Sequence, residues 1–341
     1  MTLHDHDELF HAPESPDARW QENLFFILWD TATRHGFMVH LQRIPALGWQ
    51  EAQAVVSVGG TLGSATLRRP FLPDAGVAEV TMTPVEPWRE WRLQVDFDGT
   101  VGRGPLGFVF TEPGGPTKVS ADLTIRSDIP AADFGQGLRD MVSALHTDPS
   151  GPQMTHAEHY EQGGTWTGTL RIGDEEVLAG GLFVRDHSWG PRNEQNDFKA
   201  FWTATCLDEG RVFCNAIGIP QGERIVGIGA VVDESGVRLT SEVSSSYTPR
   251  PGVGSYDSSV VRYGAGVDFE LRATTQVHIP MFLPHSGPRR YDNNAISAVE
   301  MDGRSGFGVM EWADVLTAAE VDELDQHHWA SDQLDRLERE S

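Results

Sequence analysis

Residues 165–193 read TWTGTLRIGDEEVLAGGLFVRDHSWGPRN. Two runs rich in β-branched, aromatic and aliphatic residues flank the turn-forming pair Gly173-Asp174, so the stretch reads as a β-hairpin. Gly190-Pro191 ends its second strand and turns the chain. That strand end carries Asp186, His187, Trp189 and Arg192 within seven positions. Strand alternation puts Leu182, Val184, Asp186 and Ser188 on one face, and Phe183, Arg185, His187 and Trp189 on the other. If the first face is interior, Asp186 sits dry among aliphatic chains, and burial raises its pKa so that it keeps a proton to donate. If the second is interior, His187 and Trp189 line a cavity and Asp186 orients a neighbour. Arg192 can reach back to Asp186 as a charge partner, which works against the acid role. The same cluster also fits a hydrogen-bonded corner that fastens a loop.

Outward from this hairpin the chain keeps one style. Gly and Pro turn signals separate short apolar runs such as LFFILWDTAT, GFMVHLQRI, EWRLQVDFDG, KAFWTATCL, RVFCNAIGI and VDFELRATTQVHI, the pattern of an all-β antiparallel protein. DFDGT and VEMDGRSG carry Asp-Gly pairs expected in hairpin turns. Helical periodicity is clear only in TAAEVDELDQHHWASDQLDRLERES, with Thr317 as N-cap, and in outline in FGQGLRDMVSALH. An internal echo aligns the region of Trp29 and Pro45 with that of Trp202 and Pro220, which suggests two similar β units. The Pro- and His-rich stretch LHTDPSGPQMTHAEH at 145–159 reads as a connector. The expected division is a flexible segment at 1–19, β domains at 20–148 and 149–316, and a C-terminal helix at 317–341. The expected architecture is two β-barrels or sandwiches side by side.

The composition narrows the function. The chain has 341 residues and a net charge of −24, and no cluster of Lys and Arg that could follow a phosphate backbone or an anionic membrane surface. The polar, acidic opening lacks the form of a signal peptide, and no run approaches the ~20 apolar residues of a membrane-spanning helix, so a cytoplasmic protein without an integral span is expected. The two cysteines, Cys206 and Cys214, are too few for a disulfide framework and read as buried free thiols. HDHD at 4–7 and HAEH at 156–159 read as solvated histidines, and no metal site is expected. VSVGGTLGS lacks the Lys and helix of a phosphate loop, and no nucleophile elbow of a serine hydrolase is present. Ten tryptophans and sixteen phenylalanines supply a core, an aromatic-lined pocket, or both. Glu311 in GFGVMEW points either into a second cavity or outward, and Tyr160 either hydrogen-bonds across a site or caps a barrel.

The run RDHSWGPR at 185–192, preceded by YEQGGTWTGTLRIGDEEVLAGG at 160–181, resembles a signature of a lipocalin-like group. That group contains the carotenoid 1,2-hydratase family and AttH-like proteins, with fungal lipocalin-like Diels–Alderases as more distant relatives. The likeness in layout covers most of residues 20–315. Residue by residue it is concentrated at 160–192, where Asp186, Trp189 and Gly190 match best and Ser188 stands where relatives vary. It implies two tandem lipocalin-like antiparallel β-barrels and cofactor-independent protonation of an alkene in a hydrophobic, isoprenoid-like substrate, leading to hydration, dehydration, isomerisation or cyclisation. Asp186 would give the proton, His187 would hold the Asp186 rotamer or position a water, and Trp29, Trp189 and Trp202 would face the cation. Tyr160, Arg192 and Glu311 complete the expected binding set. The alternatives are a non-catalytic carrier of a hydrophobic small molecule and a pericyclase that shapes a polyene. A homodimer is compatible with either.

Overall fold

A computed structural model describes residues 3–11, 20–73, 76–103, 112–135, 158–191, 200–221, 224–249, 256–264, 267–282 and 290–315. The first sheet contains β1 (Trp20–Trp29), β2 (Gly36–Ile44), β3 (Trp49–Val58), β4 (Thr61–Pro70), β5 (Val80–Glu86), β6 (Glu90–Arg103), β7 (Glu112–Arg126), β8 (Ala132–Asp133), β9 (Glu158–Ile172) and β10 (Glu175–Pro191). The second contains β11 (Ala200–Leu207), β12 (Val212–Gln221), β13 (Arg224–Asp233), β14 (Gly236–Thr240), β15 (Val243–Pro249), β16 (Tyr256–Tyr263), β17 (Phe269–Phe282), β18 (Arg290–Met301) and β19 (Arg304–Val315). All pairings are antiparallel. The two lipocalin-like β-barrels expected from the sequence are present.

The first sheet closes on itself. β10 pairs with β1 on one side and β9 on the other, completing the ring β1-β2-β3-β4-β6-β7-β9-β10. The hairpin of β9 and β10 therefore belongs to the first barrel, and the sheets divide between Pro191 and Ala200 rather than at 148/149. Leu24, Phe26, Phe37, Trp91, Phe97, Trp166 and Phe183 fill the barrel. The second sheet runs β14-β13-β12-β11-β19-β18-β17-β16-β15. Its ends approach where Val243 and Tyr263 pack on β13, so tightly that a Cβ on Gly229 would lie 2.8 Å from each.

The barrels pack face to face. Phe25, Ile27, Trp29, Met38 and Val184 of the first form one apolar cluster with Ala204, Cys206, Phe213, Ile228, Val309 and others of the second. Gly163 marks one close approach, since a Cβ there would lie 2.9 Å from Phe213 and 3.1 Å from Cys206 Sγ.

Local expectations fare unevenly. Asp302-Gly303 is a two-residue hairpin turn with φ of 48° and 77°, the mirror-image turn that Asp-Gly favours. Asp98-Gly99 lies inside β6 instead. There a Cβ on Gly99 would come within 2.6 Å of the Ser64 carbonyl, so the glycine serves close strand approach. The echo holds for strand order (β1–β4 beside β11–β14) but not residue by residue, because Trp29 ends β1 while Trp202 stands near the start of β11. Residues 3–11 are not loose, because Asp7 and Glu8 are buried against the first barrel. The expected helix at 317–341 and most of FGQGLRDMVSALH lie outside the described residues. Cys206 and Cys214 are buried free thiols on opposite faces of the second sheet. No helix among the described residues is long and apolar enough to cross a membrane.

Candidate functional site at the barrel junction

β10 alternates as its sequence requires, and both of its faces meet protein. Phe183 joins the first barrel's core, while Leu182 and Val184 join the junction cluster. The register then sorts the polar residues. Asp186 pairs with Phe25 on β1 and Glu161 on β9, Ser188 pairs with Asn23 and His159, and His187 pairs with Leu24 and Tyr160. Asp186, Glu161 and His159 thus share the junction face. Arg185, His187, Trp189 and Tyr160 share the barrel face.

At the junction the Nε2 of His159 contacts Asp186 Oδ2 and lies 2.9 Å from Glu161 Oε1. The indole Nε1 of Trp202 reaches across from β11 to donate to Glu161 Oε1 at 2.7 Å. Phe25 stacks on Trp202 with ring centroids 5.8 Å apart, and His40 meets the edge of Phe25 at 5.3 Å. Glu161 is completely buried, whereas the Asp186 side chain is 13% exposed. Burial opposes a charge on His159, but the Asp186 charge and contact, with help from Glu161, push its pKa up to about 10. Burial raises the Glu161 carboxyl, and the nearby Asp186 charge adds to this against the pull of His159. Charge balance gives the same picture. One imidazolium offsets one carboxylate, and a second buried carboxylate without a counter-charge would be costly. The raised carboxyl is that of Glu161. Its Oε1 is taken by Trp202, and its Oε2 is buried without a protein partner among the described residues.

The barrel face holds a second, denser network. Glu22 and Arg43 form an ion pair with both side chains fully buried. His11 Nδ1 and His187 Nε2 donate to Glu22 Oε1 at 2.8 and 3.0 Å, and Tyr160 donates to His187 Nδ1 at 3.1 Å. Burial keeps His187 below its usual range against the pull of Glu22, which fits the neutral tautomer these contacts require. Arg185 meets Glu8 and Gln162 under the rings of Trp91 and Tyr160, 4.9 and 5.2 Å from its guanidinium carbon. Glu8 also accepts from the Trp88 backbone N–H at 2.7 Å and from Trp91 Nε1 at 3.0 Å. His11 stacks on Trp189 at 3.9 Å. Residues 3–11 thereby fasten across the end of the first barrel, above its packed core.

The expected site residues fall into separate groups. Asp186, Trp29 and Trp202 face the junction, where the Nε1 of Trp29 donates to Gln276 Oε1 at 2.7 Å and ties the two sheets together. Glu311 pairs with Trp202 across β11 and β19 and shares that face. Tyr160, His187 and Trp189 lie on the barrel face, so His187 does not hold the Asp186 side chain as expected. The opposite projection of neighbouring strand residues prevents it. Arg192 lies outside the described residues. His159, Glu161 and Phe25 were passed over in the sequence. HAEH looked like a connector, yet its last histidine is inside β9.

Two triads, His11–Glu22–His187 and His159–Glu161–Asp186, bring ligating atoms within 4.8 Å of one another. In each, the protein already supplies the positive charge, from Arg43 in the first and His159 in the second.

The fold and junction define a tandem lipocalin-like protein with a buried acid–imidazole cluster between its barrels. The chain belongs to the family described as a domain of unknown function (DUF7064), whose model matches residues 4–316. No curated protein matches the chain. Among solved structures, a protein from Nitrosomonas europaea provisionally assigned as AttH is 14% identical with a TM-score of 0.62, over 90% of this chain and 100% of that one. Kievitone hydratase from Nectria haematococca is 8% identical with a TM-score of 0.54, over 92% and 93%. CghA with Sch210972 is 14% identical with a TM-score of 0.51, over 92% and 96%. At these identities the likeness is one of fold.

Proposed function

We propose that the protein is a cofactor-independent lyase of the hydratase–dehydratase type, acting at the barrel junction on an alkene of a hydrophobic, isoprenoid-like substrate. The observation that carries this is the Glu161 carboxyl, buried beside an indole with one oxygen lacking a partner among the described residues. In the hydration direction Glu161 Oε2–H gives its proton to the less substituted alkene carbon. The π pair forms the new C–H bond and leaves a tertiary cation on the other carbon. Trp202 and Phe25 offer that cation their ring faces, worth about 0.5–2 kcal/mol each. Water adds to the cation, and its spare proton returns to the Glu161 carboxylate. His159, held cationic by Asp186, lies 2.9 Å from Glu161 and stabilises that carboxylate while it is charged. The proton donor is thus placed on Glu161, and Asp186 becomes a positioning residue. The shared fold with a protein named kievitone hydratase supports this reading.

The test is hydration of β-citronellol, an isolated trisubstituted alkene, by the native protein and by Glu161→Gln and Asp186→Asn. Glu161→Gln should fold normally and lose about 10²–10⁴ in rate, the usual contribution of a general acid. Asp186→Asn should retain part of the activity with an altered pH profile. Full turnover in folded Glu161→Gln would refute the role of Glu161. Tight binding without turnover by the native protein would replace the lyase with the carrier.

A further inference from the structure

The junction holds two further polar side chains for which alkene protonation has no use. Asn23 on β1 and Asn215 on β12 are 5% and 0% exposed, and among the described residues neither end of either carboxamide meets a protein partner. Register places both near the acid. Asn23 stands opposite Ser188, itself opposite His159, one row from Phe25–Asp186–Glu161. That is roughly 7 Å along a strand. Asn215 lies between Ala204 and Ala230, both in the junction cluster, in the row next to Trp202–Ile217. Asn23 thus stands one row along and two strands across from Glu161, and Asn215 stands one row along and one strand across from Trp202, on the facing barrel.

A carboxamide offers two donors and one acceptor oxygen. Burying it unmet lowers stability, and an aliphatic side chain of similar size would fill the same space without that loss. Packing therefore does not explain two such residues on the junction face that also carries the buried carboxyl. A ligand with matching polar groups does.

We infer that Asn23 and Asn215 determine specificity at this site, and that its substrate is an apolar molecule bearing, besides the reacting alkene, a hydroxyl or carbonyl oxygen, not a bare hydrocarbon. The inference rests on the junction being the reaction site. A ligand without the oxygens leaves both amides unmet in the complex, the situation in which sites discriminate most strongly.

The test compares β-citronellol with 2,6-dimethyl-2-octene, the same carbon skeleton without the hydroxyl, by titration against the native full-length chain, Asn23→Leu and Asn215→Leu. The native protein should bind the alcohol at least about 10-fold more tightly, the effect of one net hydrogen bond. Each Leu variant should narrow that ratio, and at least one should abolish it. Without ligand, each should melt about 2 °C or more above the native protein. Where a Leu variant does not fold, the Ala variant carries the binding comparison. Equal binding of the pair by the native protein, no binding of citronellol, or an unchanged ratio in both variants overturns the inference. Glu161→Gln separates the two claims. It should keep the discrimination while losing turnover, and a variant that keeps both refutes the acid role and leaves the asparagine assignment standing.

Discussion

Replacing Glu22 with Gln tests whether the polar network at the end of the first barrel holds the fold. Burial alone would raise the Glu22 carboxyl. Hydrogen bonds from His11 and His187, with the charge of Arg43, outweigh burial and bring it down from 4.5 to about 2. A carboxyl depressed in the folded state stabilises fully above its unfolded pKa and loses that contribution as pH falls through the folded value. The window here runs from pH 4.5 down to about 2. At about 1.4 kcal/mol per unit the shift is worth about 3 kcal/mol. Glu22→Gln also strands the buried Arg43 guanidinium, a loss typically about 3–5 kcal/mol. Near pH 6 the variant should therefore be about 3 kcal/mol less stable. Below pH 4.5 the gap should shrink by about 1.4 kcal/mol per unit, because the native protein comes to carry a neutral group there too. Urea unfolding of both proteins at pH 6, 5, 4 and 3.5 measures the gap. A constant gap would refute the linkage, and no gap at pH 6 would show that the Glu22–Arg43 pair does not hold the barrel end.

Two further outcomes follow from the junction. His159 is raised to about 10, so its contribution is complete below about 6.5 and lost as pH rises through 10. Melting temperature should fall across that range in the native protein and stay flatter in Asp186→Asn, and parallel curves would dissociate His159 from Asp186. Gly163→Ala places a Cβ 2.9 Å from Phe213 and 3.1 Å from Cys206 Sγ. The overpacking should cost about 1–3 kcal/mol in denaturant unfolding, and adding Cys206→Ala should restore part of it.

The difference between what the sequence told and what it hid follows from the range of the interactions. The alternation of β10 was readable because it depends only on neighbouring residues, and it separated Asp186 from His187 correctly. The partners of Asp186 were also within reach. The turn pairs Ile172 with Glu175, and counting outward from there brings Glu161 opposite Asp186 and His159 opposite Ser188. The connector expected over 145–159 takes in His159 alone of the two, while Glu161 lies within the hairpin and follows from the count. The sheet to which the hairpin belongs was not readable, because β10 closes the first barrel on β1, which begins the first sheet and is remote in sequence. No local pattern encodes that pairing. Its consequence is chemical. A lone strand offers one acid, Asp186. The closed barrel sets a second carboxyl beside it, and the second barrel lays an indole across the pair. A single imidazole can balance only one of the two charges, which is why we assign the proton to the deeper carboxyl, the one that burial raises. Which acid keeps its hydrogen is therefore decided by barrel closure and barrel docking, interactions that the motif around Asp186 does not contain.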